Sequence, residues 1–255
     1  MYKHIFDSHA HFDDESFDTD RDKLLKNLPS MGISGIINCG TTAKSSQKCI
    51  ELADKYSFVY AACGIHPNDA DTIQSGDFAI IADLLKHPKC VAVGEIGLDY
   101  HYDTVPRDIQ LDLFEKQIKT AIYLDLPVIV HDREAHGDTL EILKKYQPKG
   151  VLHCFSGSTE MAKEIVSLGM YIGLGGAVTF KNAKKPLEVA AMIPEDRLLL
   201  ETDCPYMTPE PHRGKRNDST FIPYAAEKIA EIRNITPQYL LRTTEENAKK
   251  LFGIS

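Results

Sequence analysis

The chain has 255 residues, of which 43% are hydrophobic and 26% charged, and its formal net charge is −8 at pH 7. This hydrophobic content suffices for a folded core and excludes an intrinsically disordered chain. The negative charge excludes a general long-range attraction for nucleic acid, so any phosphate-bearing substrate must be drawn by a local cationic feature, such as a bound metal.

The N-terminal segment, MYKHIFDSHAHFDDE, has acids and histidines where a secretory signal would have an apolar run. We therefore expect no signal peptide, and no apolar run is long enough to predict a membrane span. Six cysteines are scattered along the chain without a CxxC pair, which argues against a thiolate zinc site. Together these features predict a cytoplasmic protein with reduced thiols.

Eight short runs rich in apolar and β-branched residues predict strands. Each run is almost continuously hydrophobic, as expected for parallel strands that are covered on both faces. In chain order the runs are 4–9, 35–39, 58–63, 90–96, 127–130, 150–153, 170–174 and 197–201.

The segments between the runs show helical spacing, most clearly at 108–124, 158–168, 220–232 and 237–252. In the longest segment we expect one apolar stripe, made of Leu111, Phe114, Ile118 and Ile122. Thr243 with Glu246 matches a capping box, which leaves open a division of the last segment into two helices.

Strand and helix alternate eight times, which predicts an α/β fold with a parallel sheet. Eight such units in about 250 residues most simply form a closed (β/α)8 TIM barrel, here as a single domain over residues 1–255. A doubly wound open sheet is the alternative. The longest stretch without periodicity, 204–219, has the length of a functional loop.

Residues that can bind metal recur at the C-terminal ends of the predicted strands. They are His9, His11, Glu95, His131, His153 and Asp203. In a (β/α)8 barrel these strand ends share one rim, where active sites are built. Taken singly, each residue has an ordinary structural explanation, such as a turn histidine, a core histidine, an ion-paired carboxylate or a helix cap. Their recurrence at five strand ends predicts a metal centre.

Four histidines and two carboxylates exceed what one ion requires, and they suit two divalent ions that share a carboxylate. We expect Glu95 to be the bridge, because it lies in mid-order around the rim. One ion would take His9, His11, Glu95 and Asp203, and the other Glu95, His131 and His153. Ligands without sulfur fit Zn, Mn, Mg or Fe, and the sequence does not choose among them.

Several stretches carry these residues: FDSHAHFDD, GIHP, GEIGLDY, PVIVHDREA, VLHCFSG, YIGLGGAVTFKN, LLLETDCPYMTPEPHRGKRN and NAKKLFGI. In this order, over residues 5–254, they resemble the TatD-type metal-dependent hydrolases, a branch of the amidohydrolase-like barrels. The resemblance implies a TIM-type barrel, a divalent metal centre with the ligands named above, and deoxyribonuclease activity, mostly as a 3′→5′ exonuclease.

The chain departs from the family pattern at two points. The last loop reads Asn217-Asp218-Ser219 where the family usually has Asn-Glu-Pro, which puts the substrate contacts of that loop in doubt. Related amidohydrolases often carry a carboxylated lysine on the fourth strand; this chain has Glu95 there, as expected of the TatD branch.

We expect metal-activated water to attack the phosphorus of a terminal phosphodiester, with Glu95 and Asp203 catalytic and Asp203 accepting the proton. His66 is expected at the pocket edge, where it would donate a hydrogen bond to a phosphate oxygen. The candidate phosphate clamps are Arg133, His212 and Arg213. The tyrosines that could stack on a base are Tyr100, Tyr102 and Tyr206.

Two other functions remain open at this point. The same centre could hydrolyse an aminoacyl-tRNA ester, another small ester or phosphoester, or a cyclic amide; Arg133 and the basic cluster 212–216 favour a phosphate-bearing substrate. A non-catalytic protein with a retained metal site is the second alternative. The expected partner is nucleic acid, as terminal or single-stranded DNA with RNA left open, and we expect a monomer.

Overall fold

The structure is a computed structural model that describes residues 1–102 and 104–255. Its eight strands are parallel and are hydrogen-bonded to one another in chain order. They are β1 (Ile5–Ala10), β2 (Ile33–Cys39), β3 (Val59–Cys63), β4 (Cys90–Asp99), β5 (Val128–Arg133), β6 (Gly150–Leu152), β7 (Tyr171–Leu174) and β8 (Leu198–Leu200). The barrel closes where Ala10 forms a parallel bridge with Cys204, just beyond β8. The predicted (β/α)8 barrel is confirmed.

Helices alternate with the strands along the chain. They are α1 (Arg21–Asn27), α2 (Ala43–Lys55), α3 (Asp77–Leu84), α4 (Arg107–Leu124), α5 (His136–Tyr146), α6 (Thr159–Ser167), α7 (Lys184–Met192), α8 (Ile222–Arg233) and α9 (Pro237–Phe252). None of the described helices is long and apolar enough to cross a membrane. All six cysteines are free thiols.

Apolar side chains inside the barrel lie below two of the predicted metal ligands. Ile129 on β5 and Val151 on β6 belong to an apolar cluster that also contains Phe252 from the end of α9. His131 and His153 come two residues later in the chain, so they face the same side of the sheet one layer higher. The apolar layer therefore directs the imidazoles into the mouth of the barrel.

Two helix predictions need correction. Helix α9 is continuous from Pro237 to Phe252, and Glu246 of the predicted capping box pairs with Arg242 (3.3 Å). The neighbouring Thr244 hydroxyl bonds back to the Leu241 carbonyl (3.1 Å). No capping box interrupts it, and hydroxyls that bond to the preceding turn are compatible with a continuous helix.

The predicted apolar stripe of α4 is wrong at one position. Ile122 is 48% exposed, whereas Phe114 and Ile118 are fully buried. The buried face also includes Leu113 and Ala121, so it is rotated from the predicted stripe toward these two residues.

Candidate metal centre

A cavity of about 500 Å³ opens at the C-terminal ends of the strands. Its walls include five of the six predicted metal ligands: His11, Glu95, His131, His153 and Asp203. The sixth, His9, is fully buried against them, with its ring stacked on that of His153 at 3.8 Å between centroids. The structure therefore brings all six side chains together at one rim of the barrel.

The carboxylate of Glu95 lies between two pairs of imidazole nitrogens. Its Oε2 is 3.3 Å from His9 Nε2 and 3.4 Å from His11 Nε2. Its Oε1 is 2.9 Å from His131 Nδ1 and 2.8 Å from His153 Nε2. Burial opposes the charge of Glu95, but the surrounding histidines hold the pKa of its carboxyl well below the usual range. Each oxygen of this carboxylate thus faces a separate pair of histidine nitrogens.

Asp203 joins the pair of histidines on the β1 side. Its Oδ1 lies 3.4 Å from His11 Nε2 and 3.6 Å from His9 Nε2. The backbone amide of Asp203 donates to the His9 carbonyl (3.0 Å), so the closure of the barrel fixes this arrangement. The side chain of Asp203 is 19% exposed and that of Glu95 only 4%, so Asp203 is the carboxylate of the centre that water reaches.

Hydrogen bonds on the far side of two rings show which nitrogen is free to bind a cation. His11 Nδ1 lies 2.8 Å from the Cys39 carbonyl oxygen, and His131 Nε2 lies 3.1 Å from Asp99 Oδ2. The carbonyl and carboxylate oxygens can only accept a hydrogen bond, so His11 Nδ1 and His131 Nε2 each carry a hydrogen. In the neutral ring that a cation would bind, the lone pairs therefore lie on His11 Nε2 and His131 Nδ1, and both of these nitrogens face Glu95.

His66 shows the opposite arrangement. Its Nδ1 accepts a hydrogen bond from the backbone amide of Asn68 (3.2 Å), which places the hydrogen of the neutral ring on Nε2. Burial and the charge of His131 lower the pKa of His66 to about 3, so the ring is neutral. Its Nε2, 3.5 Å from Glu95 Oε1, is then a donor that points into the centre. This geometry fits a hydrogen bond to substrate rather than metal ligation.

The donor set fits divalent cations. Three groups have nitrogen and oxygen atoms within 4.8 Å of one another: His9, Glu95 and His153; His9, His11 and Asp203; and His66, Glu95 and His131. In the third group His66 presents a hydrogen to the centre, so we do not count it as a ligand. Burial opposes the charge of His11 and His131, yet their carboxylate neighbours raise these pKa values to about 10 and about 9. The centre therefore attracts positive charge, and nitrogen and oxygen donors without a thiolate suit Zn, Mn, Mg or Fe.

Asp99 contacts the centre, and the sequence did not predict it. It is buried on β4, and its Oδ2 accepts from both His131 Nε2 and the Asn68 side chain (3.0 Å). Its Oδ1 accepts from the backbone amide of His101 at 2.9 Å. Its spacing from Glu95 could have indicated it, because residues four apart on an extended strand lie on the same face. The predicted strand, however, ended at residue 96, whereas β4 continues to Asp99.

Replacing Asp99 by alanine is expected to weaken metal binding by about 10–100-fold, because the ring of His131 loses the partner that orients it. Competition with a chromogenic chelator measures the affinity. The matched control is Asp132→Ala, which removes a similarly buried carboxylate whose partner, His136 at 2.7 Å, lies outside the centre. Equal metal affinity in the Asp99 variant and the wild type would contradict this role.

Two further buried carboxylates support the centre and were also missed. Asp7 accepts hydrogen bonds from the hydroxyls of Thr202 (2.6 Å) and Ser219 (2.7 Å), which tie β1 to the segment after β8. Burial raises the pKa of Asp7 to about 6 and that of Glu201 to about 8. Glu201 lies behind His153, with 3.8 Å between its Oε1 and His153 Nδ1.

The predicted substrate contacts divide into two groups. Arg133, Tyr102 and Tyr206 line the cavity, and both tyrosines are about half exposed, at 49% and 57%. The guanidinium of Arg133 stacks over the ring of Tyr102 at 4.9 Å. The cavity wall also includes side chains that the sequence did not single out, namely Asp13, Asp14, Thr41, Asn68 and Met207.

The other predicted contacts are not among the residues that line the cavity. His212 Nε2 lies 2.8 Å from the Tyr224 hydroxyl, and Arg213 donates to the Thr208 carbonyl (3.1 Å). The Tyr100 hydroxyl bonds to Asp138 at 2.6 Å. These side chains are held by contacts elsewhere in the fold, and their role in substrate binding stays a prediction.

Comparison with known proteins gives a consistent result. Residues 6–253 match the protein family described as TatD related DNase. The uncharacterized metal-dependent hydrolase YabD of Bacillus subtilis is 44% identical over 254 residues, which cover 98% of this chain and 100% of that protein. A Citrobacter koseri protein named 3′-5′ ssDNA/RNA exonuclease TatD is 34% identical over 98% of this chain and 100% of its own length. The crystal structure of YjjV, a TatD homologue from Escherichia coli K12, has a TM-score of 0.94 and 33% identity, with 100% of both chains covered.

Proposed function

Because this chain belongs to the TatD-related DNase family of metal-dependent hydrolases, we propose that it hydrolyses phosphodiester bonds at the 3′ ends of single-stranded DNA. The observation that carries the proposal is the position of Glu95, whose two oxygens each face a pair of histidine nitrogens at the floor of an open cavity. The 3′→5′ direction is supported by the name of the Citrobacter koseri relative.

We assign two divalent cations to this centre, with Glu95 shared between them. His9, His11 and Asp203 would hold one cation, and His131 and His153 the other. Bound divalent cations supply Lewis acidity, which lowers the pKa of water and offsets negative charge that develops around phosphorus.

The protein's own groups then act on the proton and on the phosphate. Asp203 is the proton acceptor in this proposal: its neighbouring histidines outweigh burial and lower the pKa of its carboxyl, so it is ionised at neutral pH. His66 Nε2–H, on the ring edge away from the Asn68 amide, donates to a phosphate oxygen. Arg133, at the cavity wall, offers a planar guanidinium that matches two phosphate oxygens.

A strand end suits this cavity better than a continuous duplex. Glu95 is only 3% exposed, so the reacting phosphorus must enter the cavity to reach it. A single strand can present a terminal phosphodiester in that way, whereas a duplex would have to open first. Tyr102 and Tyr206 stand at the walls with exposed rings on which an unpaired base can stack.

Purified protein loaded with Mn²⁺ or Mg²⁺ is expected to shorten 5′-labelled single-stranded DNA one nucleotide at a time from its 3′ end. A DNA blocked by a 3′ phosphorothioate linkage and a blunt duplex should resist, and excess EDTA should stop the reaction. Product sizing on denaturing gels makes the measurement. Internal cuts, or no loss of nucleotides under any metal tested, would contradict the proposal.

A further inference from the structure

The rim of the cavity carries opposite charges on its two sides. After β1, residues 11–20 contain five acidic residues and no Lys or Arg; after β3, residues 64–76 contain two acidic residues and no Lys or Arg. After β7, residues 175–185 contain three lysines and no acidic residue. Because the strands follow chain order around the barrel, this lysine segment lies on the side of the rim formed by β5 to β8.

The lysine segment packs against the loop that lines the cavity. A Cβ added to Gly176 would come within 2.0 Å of the carbonyl oxygen of Met207, a cavity-wall residue. The backbone amide of Glu210 donates to the Thr179 hydroxyl at 2.8 Å. Lys181 follows Thr179 by two residues, so the lysines begin beside the loop that carries Met207.

The cations of this region are exposed and unpaired. Lys181, Lys184 and Lys185 are exposed, and none of them forms an ion pair with a described residue. The same holds for Arg213 and Lys215 in the loop after β8, although Arg213 lies over the ring of Phe180 at 3.9 Å. In a chain with a net charge of −8, this is a concentrated patch of free positive charge.

The start of α7 gives an independent reason to expect an anion there. Lys184 and Lys185 are the first two residues of this helix, its N-cap residue Ala183 makes no side-chain capping bond, and the first turn has no acidic residue. Lysines at the positive end of a helix dipole are unfavourable. The amides of Lys184 and Leu187 donate to backbone carbonyls and Pro186 has no N–H, so the Lys185 amide is the one free donor of this turn among the described residues. A bound phosphate would remedy both features.

We propose that the single strand whose 3′ end occupies the metal centre leaves the cavity over the start of α7. Its backbone phosphates bind the exit surface, which we define as Lys181, Lys184, Lys185, Arg213 and Lys215. The acidic segments after β1 and β3 repel phosphate and so disfavour the opposite direction, although Arg21 and Arg216 neutralise two of their carboxylates. This inference rests on the proposed function and specifies where the uncleaved part of the substrate lies.

The test is the triple variant Lys181→Glu, Lys184→Glu and Lys185→Glu. Glutamate at the start of α7 interacts favourably with the helix dipole, so the melting temperature of the variant should not fall below that of the wild type. The control reverses Lys3, Lys26 and Lys250, three exposed lysines at the opposite end of the barrel, with the same change in net charge.

Both variants are assayed on 20-nucleotide single strands of DNA and of RNA, and on thymidine 5′-(p-nitrophenyl phosphate), which reaches only the metal centre. We expect the exit-surface variant to lose about tenfold or more in kcat/KM on the 20-mers at low salt. The slope of log kcat/KM against log salt should become shallower by about 2, since each lost phosphate contact removes about 0.7. Activity on the small diester should stay at the control value.

The outcomes separate this inference from the proposed nuclease activity. If the wild type digests the 20-mers and the exit-surface variant matches the control, the exit surface is wrong and the nuclease stands. If the wild type binds a fluorescent 20-mer without cutting it, and the variant loses that binding, the surface stands and the nuclease proposal falls. If the wild type neither binds nor cuts the 20-mers, both are overturned.

Discussion

Replacing Glu95 by alanine is expected to remove metal-dependent hydrolysis, with a fall of about 10⁴-fold or more in kcat. Glu95 is the one carboxylate within 3.5 Å of nitrogens from His9, His11, His131 and His153 among the described residues. Without it, the two histidine pairs lose their shared negative charge, so both cations should bind weakly. Elemental analysis after dialysis against Mn²⁺ or Zn²⁺ measures the metal content alongside activity.

Two further variants test whether the effect at Glu95 is due to its charge and is confined to metal ligands. Glu95→Gln keeps the volume and one neutral oxygen, and should also lose both metal and activity because the missing element is charge. His66→Ala should keep its metal, since the hydrogen on His66 Nε2 leaves no lone pair for a cation, and should lower kcat/KM on a small diester by a smaller factor. Full metal content and wild-type hydrolysis in Glu95→Ala would refute the shared-carboxylate assignment.

The substitution Asp203→Asn is expected to lower kcat by about 10²–10⁴-fold, because an amide cannot take a proton from the attacking water. Metal loss should be partial, since His9, His11 and Glu95 remain, so the assay is run at saturating metal. The control is Asp132→Asn, a carboxylate that pairs with His136 and does not face the centre. A metal-saturated Asp203→Asn enzyme with wild-type kcat would mean that another group accepts the proton.

The fold could be predicted because hydrophobic runs and helical segments alternate along the whole chain. Every strand is covered on both faces, so each appears in the sequence as a short hydrophobic run, and alternation with helices leaves few topologies. The site followed from the fold: residues as far apart as His9 and Asp203 meet because parallel strands end at one rim. The sequence did not predict where each strand ends, which path the loops take or which hydrogen bonds form there.

Three residues show why the sequence could not predict these features. Asp99 was missed because β4 continues past Ile96, and nothing local distinguishes a strand that stops from one that projects into the site. Arg213 was predicted as a candidate phosphate clamp but does not line the cavity, because the path of a long loop depends on contacts such as the one with Phe180. The hydrogen-bond roles of His66 depend on its partner at Asn68, which the sequence alone does not reveal.

The most direct test of the account is an anomalous-difference map of the wild-type protein crystallised with Mn²⁺. The account predicts two peaks about 3.5–4 Å apart, one on each side of the Glu95 carboxylate. The first should contact His9, His11 and Asp203, and the second His131 and His153. A single peak, or two peaks that do not share Glu95, would contradict it.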